Sequence, residues 1–528
     1  MGVARGGSKL KKILVFIFLI ILIAFPAFAA NKHIKTGASG TGSGDTWVDA
    51  YPSFAAVATA GWDRANIYYV AGGTYAEKVS ITSASGAGWL IIKKAIEAEH
   101  GSATGWDAAY GTDQAVISSA ATNPQVWIAV SQVEIDGVTG SGTSGHGIKI
   151  NPTTLVYVIQ FAAGAGPFHL HHIDIKGNGY DAGATGTDAV YQYTPNVKGT
   201  HISYCWLHDV TRNGLTITTL VGTSYSDYGL LFENNFLSET GGCTDRAVHG
   251  QGIQIGYATT DAYLIIRNNI FRNVTGTAVI AYLGAGSSHT NSQIYNNIFY
   301  TTDNDAYPIG LSPGIIATYG DVTDYFYIYN NVFYNISQSD AYGRIYLTPV
   351  TPATVAEVKN NLWMKCYLPF GGFLTGTTSS SNNGFYDNNG LTNPGNTESS
   401  DPFTNSATYD FTLVSGANAV NGGLDLSSTL GCTTGVDCYD ITGTTLRGVA
   451  WDIGAYEYTS GTTPSKGIII LAPGKGIGAV APGKGTGSIS PYYDDTFFIF
   501  LYEEESNYID LLFSPIYGID NLINMRMR

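Results

Sequence analysis

The chain has 528 residues, a formal net charge of −15, only 13% charged residues, and 65 Gly beside 36 Tyr. Such an acidic chain repels nucleic acid and acidic polymers unless a basic cluster or a bound cation reverses the field, so nucleic-acid binding is excluded as a leading reading. Five cysteines without a paired CxxC exclude a disulfide scaffold and a zinc ribbon, and the glycine-rich, charge-poor composition describes many turns and strands with few surface helices.

Residues 1–29 read as a signal peptide. Arg5, Lys9, Lys11 and Lys12 precede the apolar run Ile13 to Phe25, and Ala27-Phe28-Ala29 offers a cleavage point after Ala29. A retained anchor is the alternative, disfavoured because the run is short for a membrane span. Cleavage would leave 22 Lys+Arg against 41 Asp+Glu, a formal charge of −19, on a chain that is secreted or held at the cell surface with no stable membrane span.

Residues 30–114 follow as an N-terminal cap and first coils. Apolar spacing predicts a short amphipathic helix over Tyr51 to Ala60, placed to hide the open end of the strands that follow, NIYYVAGGTYAEKVSI. Residues 115–400 then carry nine or ten β coils. Asn-Asn doublets begin at Asn234, Asn268, Asn296, Asn330, Asn360 and Asn382, in steps of 34, 28, 34, 30 and 22 residues, inside alternating runs such as YLIIRNNIF. A period that varies by whole loops marks a solenoid, and its Ile, Tyr, Phe and Val make the unit β. Asn tolerates the left-handed corner conformation, and its buried amide can bond to its copy one coil above. The expected fold is therefore all-β, a parallel β-helix with an asparagine ladder. Cys205 falls at a ladder position as a buried small side chain, and VEIDGV at 133, HHIDIKG at 171 and SYCWLHDV at 203 read as earlier coils in the same register.

A second strand is expected upstream of each corner, with Lys149, Tyr191, Thr216 and Gln254 in one outward column beside Gly or Ala, a shallow groove whose polar part lies in the N-terminal half. Ile280 and Ile316 continue that column later. Residues 401–458 read as a closing segment in which Cys432 and Cys438 could form a small loop. Residues 459–528 read as a linker and tail, with APGKG at 472 and 481.

Three segments resemble the right-handed parallel β-helix (pectin lyase-like) superfamily: GDTWVDAYPSFAAV with IYYVAGGTYAEKVSI, the NNIF repeats, and SDPFTNSATYDFTLVSGANAVNGG with WDIGAYEY. The resemblance implies a single-stranded right-handed solenoid with a helical N-terminal cap. It does not choose among lyases, hydrolases, esterases and adhesins. GTYAEKV, with Tyr75 and Glu77, is similar to the first pectin methylesterase motif, but no DFIFG or GRPW string follows. Gly145-His146-Gly147 is similar to the polygalacturonase Gly-His-Gly without its carboxylate motifs, so His146 reads as structural.

β-Elimination on a uronic-acid polymer needs a base near C5 and positive charge at the carboxylate. Arg246, His249, Arg212 and Tyr191 are the candidate catalytic residues. Lys149, Gln254 and His208 are candidate polysaccharide-binding residues, and Asp188, Asp209 and Asp245 are oxygen ligands for calcium, the one candidate cofactor. Strand alternation puts His171 and His172 on opposite faces, against a shared metal. The two functional readings are a protein that binds an extended, uronic-acid-type polysaccharide, with cleavage by elimination, and a non-catalytic surface or adhesion spacer in which these groups are solvated loop charges.

Overall fold

The computed structural model describes residues 30–459 apart from 121–122, 155, 163–165, 180–185, 193–197, 219, 222–223, 242–249, 259–262, 275, 284–291, 303–315, 321–325, 337–344, 350–354, 367–376 and 389–395, and beyond them 498–503, 509–514 and 523–527. The expected signal peptide and the APGKG repeats lie outside the described residues. Two units are distinguished, Met1–Tyr458 and Thr459–Arg528.

The first unit winds through three parallel sheets, here called I, II and III, of 12, 12 and 9 strands. One coil runs Thr200–Ser203 in sheet I, Trp206–Val210 in sheet II and Leu215–Ile217 in sheet III. The next coil repeats it one rung on, with Thr200 opposite Leu230, Trp206 opposite Phe236 and Leu215 opposite Ile253. This is a parallel β-helix. Period-2 alternation turns one side chain in two inward, so Leu170, Ile202, Phe232, Ile266 and Ile294 stack in one buried column. Phe271, Phe299, Phe333 and Trp363 form another, with centroids 4.8, 5.1 and 3.8 Å apart. Each such side chain removed from water stabilises the coil by roughly 1.5–3 kcal/mol.

The corner between sheets I and II is made by the doublets. The first Asn is left-handed, with φ +56° at Asn234 and +51° at Asn330, a conformation that Asn adopts more readily than most residues. The second is buried and bonds along the axis: Asn235 donates to Asn269 at 3.1 Å, Asn269 to Asn297 at 3.0 Å, Asn297 to Asn331 at 3.0 Å, Asn331 to Asn361 at 2.9 Å and Asn361 to Asn383 at 3.1 Å. Each oxygen also accepts the backbone N–H of the preceding rung, and Cys205 N–H begins the series on Asn235 Oδ1 at 2.9 Å. The left-handed position is filled by His172 (φ +55°) and Tyr204 (φ +53°) in two earlier coils.

At the N-terminal end the helix spans Phe54–Ala60. It starts three residues later than Tyr51 because Ser53 is its N-cap, its Oγ accepting from Ala56 N–H at 3.1 Å. Phe54 and Val57 pack with Tyr75, Val79 and Ile81 at the first strands of sheets II and III.

Residues 401–458 lie along the flank, where a closing cap was expected at the end. Phe403, Phe411, Leu413 and Ile453 cover the outer side of sheet II at Ile298, Val332, Tyr334 and Leu362. Leu430, Cys438 and Trp451 cover sheet I at Ile265, Tyr295 and Tyr329, and Cys432 and Cys438 form a disulfide. Arg447 is buried here, donating to Asn296 Oδ1 at 3.0 Å and to Glu457 at 3.1 Å. In the second unit Phe498–Glu503, Ile509–Ser514 and Ile523–Met527 form an antiparallel sheet.

Replacing Asn331 by Ala removes the acceptor for Asn297 and the donor to Ile294 O. Buried groups left unpaired cost about 1–3 kcal/mol each, so Asn331→Ala is expected to lower the unfolding midpoint in thermal or denaturant melts by several kcal/mol equivalent. An unchanged midpoint would show that the ladder does not stabilise the coil.

Candidate functional site

The outer column of sheet III is Trp127, Gln160, Tyr191, Thr216 and Gln254, in continuous register. Lys149 is not in it. Its strand, Ile148–Ile150, pairs with Ile173–Lys176 in sheet II. The expectation slipped by one strand because the coil containing Val133–Asp136 turns from sheet I to sheet II through a long loop, 137–147, where later coils use a two-residue corner. The VEID segment accordingly belongs to sheet I, opposite Phe168–His171. In the later coils Ile280 is opposite Ala317, so Ile316 falls in the other column, opposite Val279.

Tyr191 is joined by Tyr157, their rings stacked at 4.8 Å with 21° between planes. Arg212, from the coil above, lies 5.7 and 5.9 Å from the two ring centroids. Its guanidinium is held by Asp188, with Nε and Nη2 each 2.6 Å from a carboxylate oxygen. Asp188 is fully buried and also accepts from Asn213 N–H at 3.1 Å. Asn213 carries the network on, donating to Thr216 Oγ1 at 2.9 Å and Gln254 Oε1 at 2.8 Å. Arg212, Asp188, Tyr191 and Gln254 therefore do converge, as an aromatic and amide surface around a satisfied ion pair.

Lys149, His208 and Asp209 meet separately on sheet II. Asp174 binds Lys149 Nζ at 2.6 Å and His208 Nε2 at 2.9 Å, while His208 Nδ1 reaches Asp209 at 3.1 Å. Trp206 stacks on the His208 ring at 3.6 Å. Lys176 is 3.4 Å from Asp209. Burial pushes the Asp174 carboxyl up, but His208 and Lys149 more than reverse this and hold it below the usual range. The His208 bond, opposed by burial, likewise lowers Asp209. Asp188 and Asp209 thus neutralise cationic side chains, which leaves them poor calcium ligands, and no cluster of three metal-binding side chains occurs among the described residues. Arg246, His249 and Asp245 lie outside the described residues.

Sequence reasoning missed the outer face of sheet I. Glu134, His169 and His201 form one column, and Asp136, His171, Ser203, Glu233 and Arg267 the other. His201 is 3.0 Å from Glu233, and His171 Nδ1 is 2.6 Å from Ser203 Oγ. Burial, with His201 nearby, lowers the His171 pKa to about 4. His171 and His172 were expected on opposite faces. Instead His172 is the left-handed corner residue and bonds Asp136 at 2.9 Å, so both rings lie outside the core with centroids 6.5 Å apart. The alternation in FHLH and HIS was the available signal for this face.

The two motif fragments are structural. Tyr75 donates to the carbonyls of Ile34 and Ala71, and Glu77 accepts from Phe54 and Ala55 N–H at the helix start. His146 is buried against Tyr204 O at 3.1 Å.

No known family matches the sequence, and no curated protein is similar to it. A solved structure described as the crystal structure of pectate lyase Pel9A aligns over 82% of this chain and 98% of that one, at 12% identity and a TM-score of 0.29. The likeness is one of fold alone. Among the described residues no helix is long and apolar enough to cross a membrane.

Asp188→Ala would leave the Arg212 guanidinium unpaired. The expected loss is at the lower end of the roughly 3–5 kcal/mol typical of a broken buried pair, since Arg212 keeps 27% side-chain exposure. A denaturant titration checks it, and a change under 1 kcal/mol, roughly that of a surface pair, would contradict it. Asp174 and Asp209 have depressed folded pKa values, so their stabilisation is present above the unfolded value of about 3.9 and disappears as pH falls through the folded one. Melting temperature should drop steeply below about pH 4, and the drop should be shallower in Asp174→Asn; identical pH profiles would contradict this assignment.

Proposed function

We propose that this chain binds an extended polysaccharide along the outer face of sheet III. The observation that carries the reading is the stacked Tyr157–Tyr191 pair in register with Trp127, Gln160, Thr216 and Gln254. Aromatic rings offer apolar area to the C–H faces of sugar rings, and the part-exposed amides of Gln160 and Gln254 in the same column match sugar hydroxyls. Successive coils repeat these groups about every 4.8 Å, which suits a chain ligand better than a compact one.

The charge pattern favours binding over cleavage by the groups described. Arg212 is occupied by Asp188, Lys149 by Asp174, and His208 by Asp174 and Asp209. An elimination step needs an accessible base and a cation at the uronate, and the candidates left for that role are Arg246 and His249, which precede Gln254 in sequence. The reading of an exported protein rests on the N-terminal leader sequence.

The test is calorimetric titration of the mature protein with neutral and uronic-acid polysaccharides, with and without calcium, alongside absorbance of the double bond formed by elimination. At least one polymer should bind, with Tyr191→Ala and Tyr157→Ala roughly tenfold weaker, equivalent to about 1.4 kcal/mol. Binding of no polymer would overturn the proposal and leave the solenoid as a spacer. An absorbance signal lost in Arg246→Ala or His249→Ala would assign elimination to those residues; no signal on any uronate would remove the lyase component.

A further inference from the structure

The outward, left-handed Asn residues of the doublets form a row along the ridge between sheets I and II, and four of them hold the flanking segment. Asn296 donates to Tyr439 O at 2.9 Å, Asn330 to Asp452 O at 3.1 Å and Asn382 to Gly422 O at 3.1 Å. Asn360 both donates to Leu424 O and accepts from its N–H, at 2.8 and 2.9 Å. The row continues for two more coils as Asn268 and Asn234. Among the described residues no hydrogen bond from the segment reaches their side chains, and the Asn268 Oδ1 atom is buried with no partner.

At this place a cleft of about 520 Å³ opens between sheet I and the disulfide loop, walled by Asn234, Asn268, Tyr204, Tyr225, Tyr439 and Arg267. Its size falls in the range of about 300–1,000 Å³ usual for small-molecule sites. Tyr204, Tyr225 and Tyr439 are 39%, 49% and 41% exposed, and among the described residues they are the only large aromatic side chains so exposed. All three line this one cleft. Their clustering marks a surface that an apolar partner face would cover.

Charge narrows the ligand. Arg267 is engaged by Glu233 at 2.7 Å and by the hydroxyls of Tyr225 and Tyr295 at 3.0 and 2.9 Å, so its charge is already paired. Burial raises the Glu233 carboxyl, but His201 and Arg267 outweigh it and keep it ionised below its usual range. Asp437 adds a further carboxylate to the wall. An anion would meet acidic groups and no available cation, whereas an uncharged polyhydroxyl ligand can stack on the phenol rings and bond to the two amides.

We propose that this cleft is a separate binding site for one or two neutral sugar units, whose hydroxyls continue the hydrogen bonds that the flanking segment makes to the Asn row. The site is independent of the sheet III surface. The experiment titrates the full chain with neutral mono- and disaccharides, followed by ligand-observed NMR and calorimetry. A sugar should bind, with Tyr225→Ala and Tyr439→Ala each on the order of tenfold weaker, Asn268→Ala weaker also, and Tyr191→Ala unchanged. Because the Tyr439 side chain is exposed, Tyr439→Ala should keep the wild-type melting profile, so that its loss of binding is not a loss of folding. The proposal is overturned if no neutral sugar binds, if binding survives both Tyr substitutions, or if only Tyr191→Ala removes it. Tighter binding of uronates than of neutral sugars would also overturn it, by contradicting the charge argument.

Discussion

From Thr200 onward each coil of this protein turns from sheet I to sheet II within two residues, and the rest of the structure depends on how that corner is satisfied. Its backbone has to enter the left-handed region once and bury polar groups at the next residue. An Asn pair does both. The first Asn adopts the positive φ, and the amide of the second supplies donors and an acceptor to rungs above and below. Because each ladder amide is bonded on both sides, rungs are locked in register, which keeps the apolar columns inside and the polar columns outside.

The same geometry gives the ridge its second role. Turning one amide inward turns its neighbour outward, so a structural ladder generates a parallel row of surface amides. The flanking segment uses part of that row, anchored by Arg447 and Trp451, and the cleft lies where the row outlasts those contacts. In the coils before the doublets, His172 and Tyr204 take the left-handed position and stack on each other at 5.0 Å. Aromatic side chains at a strained corner are harder to accommodate than Asn, and they bring the tyrosine face of the cleft up to the histidine-rich surface of sheet I.

Much was legible in the sequence. The doublet period, the inward ladder position of Cys205 and the alternation at Tyr191, Thr216 and Gln254 all read through directly, since they depend on local spacing. Lys149 did not, because the loop 137–147 lengthens one corner and shifts which sheet the following strand joins. Nor did the pairing of charges. Asp188 with Arg212, and Asp174 with Lys149 and His208, each join residues about one coil apart in sequence, and no spacing rule distinguishes a bonded pair from solvated neighbours. The His171 and His172 assignment failed for a related reason: alternation holds within a strand, and His172 is where the strand stops.

By itself the sequence determined the all-β solenoid, its period and the identity of its corner residues, because alternation and left-handed tolerance are properties of single residues and their near neighbours. Only the tertiary structure decided which charges neutralise one another, that residues 401–458 lie along the flank, and that three exposed tyrosines meet at one cleft. Tyr204 and Tyr225 belong to one coil, whereas Tyr439 comes from a stretch more than 200 residues further along the chain. What brings them together is the stacking of coils and the docking of a segment across them, and those contacts exist only once the ladder has set the register.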